Sequence, residues 1–165
     1  MSRATHLVLG AIVTTVMIAG TALLSSWPTY RTLPEGVGVV TLSFSHGGAR
    51  NCRERTEAEL AKLPPTLRQT EVCERKRQPV YVEMDIDNEP VYRASLPPSG
   101  IARDGPSRVY ERFVLPAGDY EIAVRLRDTS RTEGFDDVAV YRLSLSAGQS
   151  FVIDFRRDTG GFIFH

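Results

Sequence analysis

Tyr120-Glu121-Ile122-Ala123-Val124-Arg125-Leu126-Arg127 keeps Tyr120, Ile122, Val124 and Leu126 in one phase and Glu121, Arg125 and Arg127 in the other. Successive side chains point to opposite faces of a strand, so this stretch has one apolar and one charged face. Strands with one buried and one wet face build antiparallel sheets, whereas parallel strands read as continuous apolar runs.

The same pattern recurs on both sides. Upstream, Arg108 to Leu115 turns Val109, Phe113 and Leu115 inward, and Pro116-Ala117-Gly118 separates it from the opening stretch. Val80 to Ile86 alternates with Val80, Val82, Met84 and Ile86 inward. A turn at Asp87-Asn88-Glu89-Pro90 then predicts a hairpin with Val91 to Leu96. The first strand is expected over Val39 to Ser45, with Val40, Leu42 and Phe44 on one face. Downstream follow Val138 to Leu145, Phe151 to Phe155 and, after Gly160-Gly161, Phe162 to Phe164. Strands this short, punctuated by Pro and Gly turns, predict an all-β fold: an antiparallel, Ig-like or prealbumin-like sandwich of about seven or eight strands over residues 37–165.

Two turns carry a resemblance. Leu115-Pro116-Ala117-Gly118-Asp119-Tyr120-Glu121-Ile122 and Leu145-Ser146-Ala147-Gly148-Gln149 resemble the turn-strand pattern of PEGA-type and carboxypeptidase-regulatory-like (prealbumin-type) sandwiches, over about residues 107–155. The resemblance implies a largely non-catalytic domain.

Residues 51–77 interrupt the strand pattern as an insert. Thr56-Glu57-Ala58-Glu59 is a capping box, and Leu60 and Leu63 share a face until Pro64-Pro65 stops a helix of about two turns. So short a helix is expected to pack its leucines on the sheet. Cys52 and Cys73 lie in polar, charged sequence, where disulfide cysteines sit. Closing a loop of about 22 residues contributes ~3 kcal/mol in the chain-entropy model. Free thiols and a metal pair are the rival readings, and the chain has no CxxC. Arg75-Lys76-Arg77 is the one dense basic run, either a solvated edge or a candidate contact for anionic lipid or a partner.

Leu7 to Leu24, LVLGAIVTTVMIAGTALL, contains no charge. Eighteen helical residues span about 27 Å, near the ~30 Å hydrocarbon core of a bilayer. Thr14, Thr15 and Thr21 can return their hydroxyls to the preceding turn, and Trp27 and Tyr30 follow at headgroup depth. The expected organisation is a cytoplasmic tail (1–6), a signal-anchor helix (7–24), a spacer (25–36) and the sandwich domain. The rival is a cleaved signal peptide ending near Gly20-Thr21-Ala22. A six-residue tail inside puts the domain outside, which in a bacterial inner membrane means the periplasm.

Composition narrows the function classes. Twenty basic residues balance twenty acidic ones, so the overall basic excess of a nucleic-acid binder is missing. Only Lys62 and Lys76 among the basic residues are lysine, a bias typical of a GC-rich bacterial genome. His46 is the single histidine in the domain body. A Ser45–His46 pair points to opposite faces, so no catalytic residue is assigned. Asp85-x-Asp87-x-Glu89 starts like a calcium loop but has Pro90 and Leu96 where glycine and glutamate are required. Looser acidic loops at Asp104, Asp128, Asp136 or Asp137 are weaker calcium candidates, and no metal ligand or cofactor is assigned.

The expected function is that of a non-catalytic, single-pass accessory or assembly subunit of a larger inner-membrane complex, for example a respiratory one. Its partners would be an integral membrane complex and the lipid around Leu7–Leu24, with no nucleic acid. The alternative is an extracytoplasmic module for carbohydrate or a metal ion, using Tyr81, Tyr92 and Tyr110.

Overall fold

The opening stretch lies in β7 (Gly118–Arg127), where Ile122, Val124 and Leu126 are fully buried. The computed structural model describes residues 3–27 and 33–165, and it divides into two units, 1–34 and 35–165.

The first unit holds α1 (Arg3–Ser26), an apolar helix of 24 residues with no buried residue, whose mean hydropathy reaches 2.3 over an 18-residue stretch. At ~1.5 Å per residue it is about 36 Å long, enough to cross a membrane. It extends a few residues beyond the expected 7–24 at both ends. Thr14, Thr15 and Thr21 donate to the carbonyls of Gly10, Ala11 and Met17, so their hydroxyls are satisfied within the helix. Trp27 follows it, exposed. Tyr30 and the other spacer residues from 28 to 32 lie outside the described residues.

The second unit is the sandwich. One sheet orders β5 (Glu89–Leu96), β4 (Val80–Ile86), β7 and β8 (Asp137–Leu145), all antiparallel. The other orders β10 (Gly161–Phe164), β9 (Ser150–Arg156), β1 (Val37–His46) and β6 (Ser107–Pro116). These eight strands match the expected sandwich, with one departure: β1 pairs antiparallel with β6 but parallel with β9. Both turns of the quoted resemblance lead from one sheet to the other, β6 to β7 and β8 to β9.

The core lies between the sheets. Val40, Leu42 and Phe44 meet Val82, Met84, Val124, Leu126, Ile153 and Phe155, all buried. Each such side chain contributes roughly 1.5–3 kcal/mol by leaving water. Phe44, Phe155 and Phe162 pack edge-on at one end. Tyr141 stacks on Phe151 and Phe164 and closes the side between β8 and β10.

The β4–β5 turn is tighter than expected. It consists of Asp87 and Asn88 alone, at φ +50° and +65°, the left-handed pair of a two-residue hairpin. Pro90 therefore sits inside β5, an edge strand where a missing N–H costs least.

Candidate functional site: a stapled finger and the polar lock at its base

Residues 50–77 form a finger between β1 and β4. Its two strands, β2 (Arg50–Glu54) and β3 (Glu71–Arg77), make a separate antiparallel ribbon that the sequence reading lacked. No residue of either strand is buried. Hydrophobic periodicity has nothing to register in such a ribbon, which is why charge patterning hid it.

Cys52 and Cys73 are opposite one another in the ribbon and form the expected disulfide. Both are exposed. A Glu71 carboxylate oxygen lies within 4.8 Å of both sulfurs, but bonded sulfurs present no thiolate to a metal.

The finger's tip is held by polar contacts. Thr56 caps α2 (Glu57–Ala61): its hydroxyl accepts from the Glu59 N–H, and the Glu59 carboxylate accepts from the Thr56 N–H at 3.0 Å. Arg53 grips the same carboxylate with two hydrogen bonds, at 2.8 and 2.9 Å. The Arg53 hydrogen bond, followed by the Thr56 N–H, holds the Glu59 carboxyl down to about 2. The helix has five residues, and a 3-10 turn follows at Pro65–Leu67. Leu60 and Leu63 are half-buried and Leu67 is exposed, and none joins the core. The expectation that these leucines pack on the sheet is corrected: Leu60 faces Arg68 and Thr70 within the finger.

The base is a tight crossing. Ala49 donates to the Asp128 carbonyl and accepts from the Gln78 N–H, both at 2.8 Å. The chains approach so closely that a Cβ at Gly48 would stand 2.1 Å from the Gln78 carbonyl oxygen. Only glycine fits there. Arg77 turns inward and donates to the carbonyls of Asp104 and Gly48. Arg75 pairs with the Asp104 carboxylate at 2.8 Å and holds that carboxyl below its usual range. Arg75, Lys76 and Arg77 are thus divided: two arginines bolt the finger to the 97–106 loop, and Lys76 is exposed.

Behind the crossing lies a polar lock. His46 Nε2 lies 2.6 Å from Asp128 Oδ2, and Arg157 donates to the same oxygen at 2.6 Å. The Asp128 side chain is 2% exposed and its Oδ1 has no partner. The His46 ring packs edge-on against Phe155. Asp128 in turn donates its backbone N–H to Asp136, which also pairs with Arg131. A buried carboxylate needs compensating charge, and here the Arg157 guanidinium supplies it while the His46 ring adds a second polar contact.

Asp128 falls in an expected polar loop and Arg157 in no expected site, yet the strand phase marks one of them. Asp128 continues the inward phase Ile122, Val124, Leu126, and His46 continues Val40, Leu42, Phe44. A charged residue in phase with the core marks a buried polar contact.

The weaker candidates resolve individually. Asp104, Asp128, Asp136 and Asp137 each face an arginine. Asp85 pairs with Arg125 at 2.6 Å, and Asp87 accepts the Glu121 N–H across its turn. The three tyrosines do not cluster. Tyr81 stacks with Phe135 under Arg127 on the outer face of the β4 sheet, Tyr92 is half-buried against the core, and Tyr110 is exposed on β6. No family model, curated protein or solved structure matches this chain.

Proposed function

We propose that the chain is a single-pass, membrane-anchored accessory or assembly subunit of a larger inner-membrane complex, respiratory complexes being the leading class. It works by protein contact without catalysis of its own, with the sandwich on the periplasmic side. The observation that carries this reading is α1, a 24-residue apolar helix with no buried residue. An apolar surface of that length needs lipid or another helix around it. The finger supports the same reading, because a covalently held projection with no buried residue of its own ribbon offers surface rather than core. The prealbumin-type turn pattern is in keeping with a contact domain.

The test is affinity purification of the full chain from native membranes in mild detergent, with mass spectrometry of what co-elutes. A stoichiometric integral membrane partner is expected, lost when Leu7–Leu24 is replaced by an unrelated apolar helix. A lone monomer overturns the proposal, and so does release of the chain from membranes after cleavage behind Ala22.

A further inference from the structure

The sandwich has four edge strands among the described residues, β10, β5, β8 and β6, and the last two are long and regular. β10 has four residues, and β5 carries Pro90 and an irregular register beside Met84 and Asp85. Both devices discourage further pairing. β8 pairs with β7 through nine consecutive residues without a bulge, but its one arginine, Arg142, faces Glu121. β6 pairs with β1 through ten consecutive residues without a bulge, and no strand lies on its other side among the described residues. Along that side Tyr92, Leu96, Phe113 and Leu115 are only partly buried.

Charge singles out the same strand. Arg108, Tyr110, Arg112 and Val114 share its outer face, with Tyr110 66% and Val114 52% exposed. Elsewhere on the sheets Arg93, Arg125, Arg142 and Arg156 each face a carboxylate. Arg108 and Arg112 have no ion pair among the described residues, and the β1 residues opposite them, Ser45 and Thr41, carry no charge. Two unpaired guanidiniums four residues apart on a strand stand about 13 Å apart, the spacing of positions i and i+4 in an extended peptide.

We propose that β6 accepts an extended, acidic segment of a partner protein as a fifth strand of its sheet. Main-chain hydrogen bonds to the open edge would supply affinity. Acidic residues at i and i+4 would meet Arg108 and Arg112, an apolar residue at i+2 would meet Tyr110, and one at i+6 would meet Val114. This inference rests on the reading of the chain as a contact subunit, and names the chemistry of one contact.

The probe is the peptide acetyl-Glu-Thr-Val-Thr-Glu-Thr-Val-amide, added to the full chain in uncharged maltoside micelles. Binding is read by anisotropy and by hydrogen exchange of the β6 amides. The expected result is saturable binding that slows exchange along β6 and weakens about tenfold in Arg108→Glu/Arg112→Glu. The milder Arg108→Gln/Arg112→Gln pair, with an unchanged melting temperature, guards against misfolding. A peptide with lysine in place of glutamate should not bind. Absence of binding, binding without protection of β6, or equal binding by the charge-reversed protein would each overturn the inference. So would Arg-dependent binding to phosphatidylglycerol vesicles in place of the peptide, which would assign the stripe to lipid. If a partner co-purifies but the peptide fails, only this inference falls. If the peptide binds and no partner co-purifies, the subunit reading falls and the open edge stands.

Discussion

The sandwich and the finger are made stable by opposite means. The sandwich buries an unbroken layer of Val, Leu, Ile and Phe, with Leu42, Met84, Ile122, Leu126 and Ile153 fully removed from water. The finger's strands bury nothing and rely on a disulfide, a capping box and a paired Arg53–Glu59. Burial gives one cooperative unit, whereas covalent and polar restraints act on the segments they join. The two regions should therefore respond to different insults.

The largest effect is expected in the sandwich. Leu126→Ala should cost about 3–4 kcal/mol, read as a lower urea midpoint for the whole domain. The finger should melt with it, because its base hangs on Asp128, two residues further along. Asp128→Ala comes next, at about 2–3 kcal/mol, since it leaves the nearly buried His46 ring without its carboxylate, while the exposed Arg157 keeps Asp137. Gly48→Ala should cost about 2 kcal/mol at the crossing. Hydrogen exchange at Ala49 and Gln78 would show whether either change opens the base before the sheets.

Cys52→Ser with Cys73→Ser sharpens the comparison. The finger should lose up to ~3 kcal/mol of local stability while the sandwich transition stays within about 0.5 kcal/mol. Fast exchange confined to residues 50–77 would verify it, and an equal drop in the global transition would refute it. Smallest is the response to acid. Because the folded Glu59 carboxyl is held to about 2 against an ordinary 4.5, its stabilisation is complete above pH 4.5 and lost as pH falls toward 2. Amides of Glu57–Ala61 should exchange faster across that window, and Glu59→Gln should remove the pH dependence.

The same contrast explains what the sequence made legible. Where a strand buries one face, as in β7 or β4, alternation alone locates it and assigns its inward side. The capping box at Thr56–Glu59 and the Cys52–Cys73 bond were equally readable, being local chemistry or a simple pair. The ribbon β2–β3 was not, because Arg50–Glu54 and Glu71–Arg77 have no apolar phase to follow. The lock was legible only in the inward phase of His46 and Asp128, because its pairing with Arg157 joins three strand ends remote in sequence. The open edge of β6 also required topology: nothing in Ser107–Pro116 itself says that it has a single neighbour among the described residues.

The placement of β1 has a consequence for the order of assembly. Its partners are β6 and β9, with Val39 opposite Val114 on one side and Ser150 on the other. Synthesis thus leaves the domain's first strand waiting for a neighbour encoded on the order of a hundred residues later. The β4–β5 and β7–β8 hairpins need no such delay. During synthesis β6 can therefore pair with one edge of β1 as it emerges, while the other edge, which takes β9, stays open until the last segments arrive. During that interval the domain depends on protection from other strands, and a nick or truncation after Gly148 should leave it trapped there.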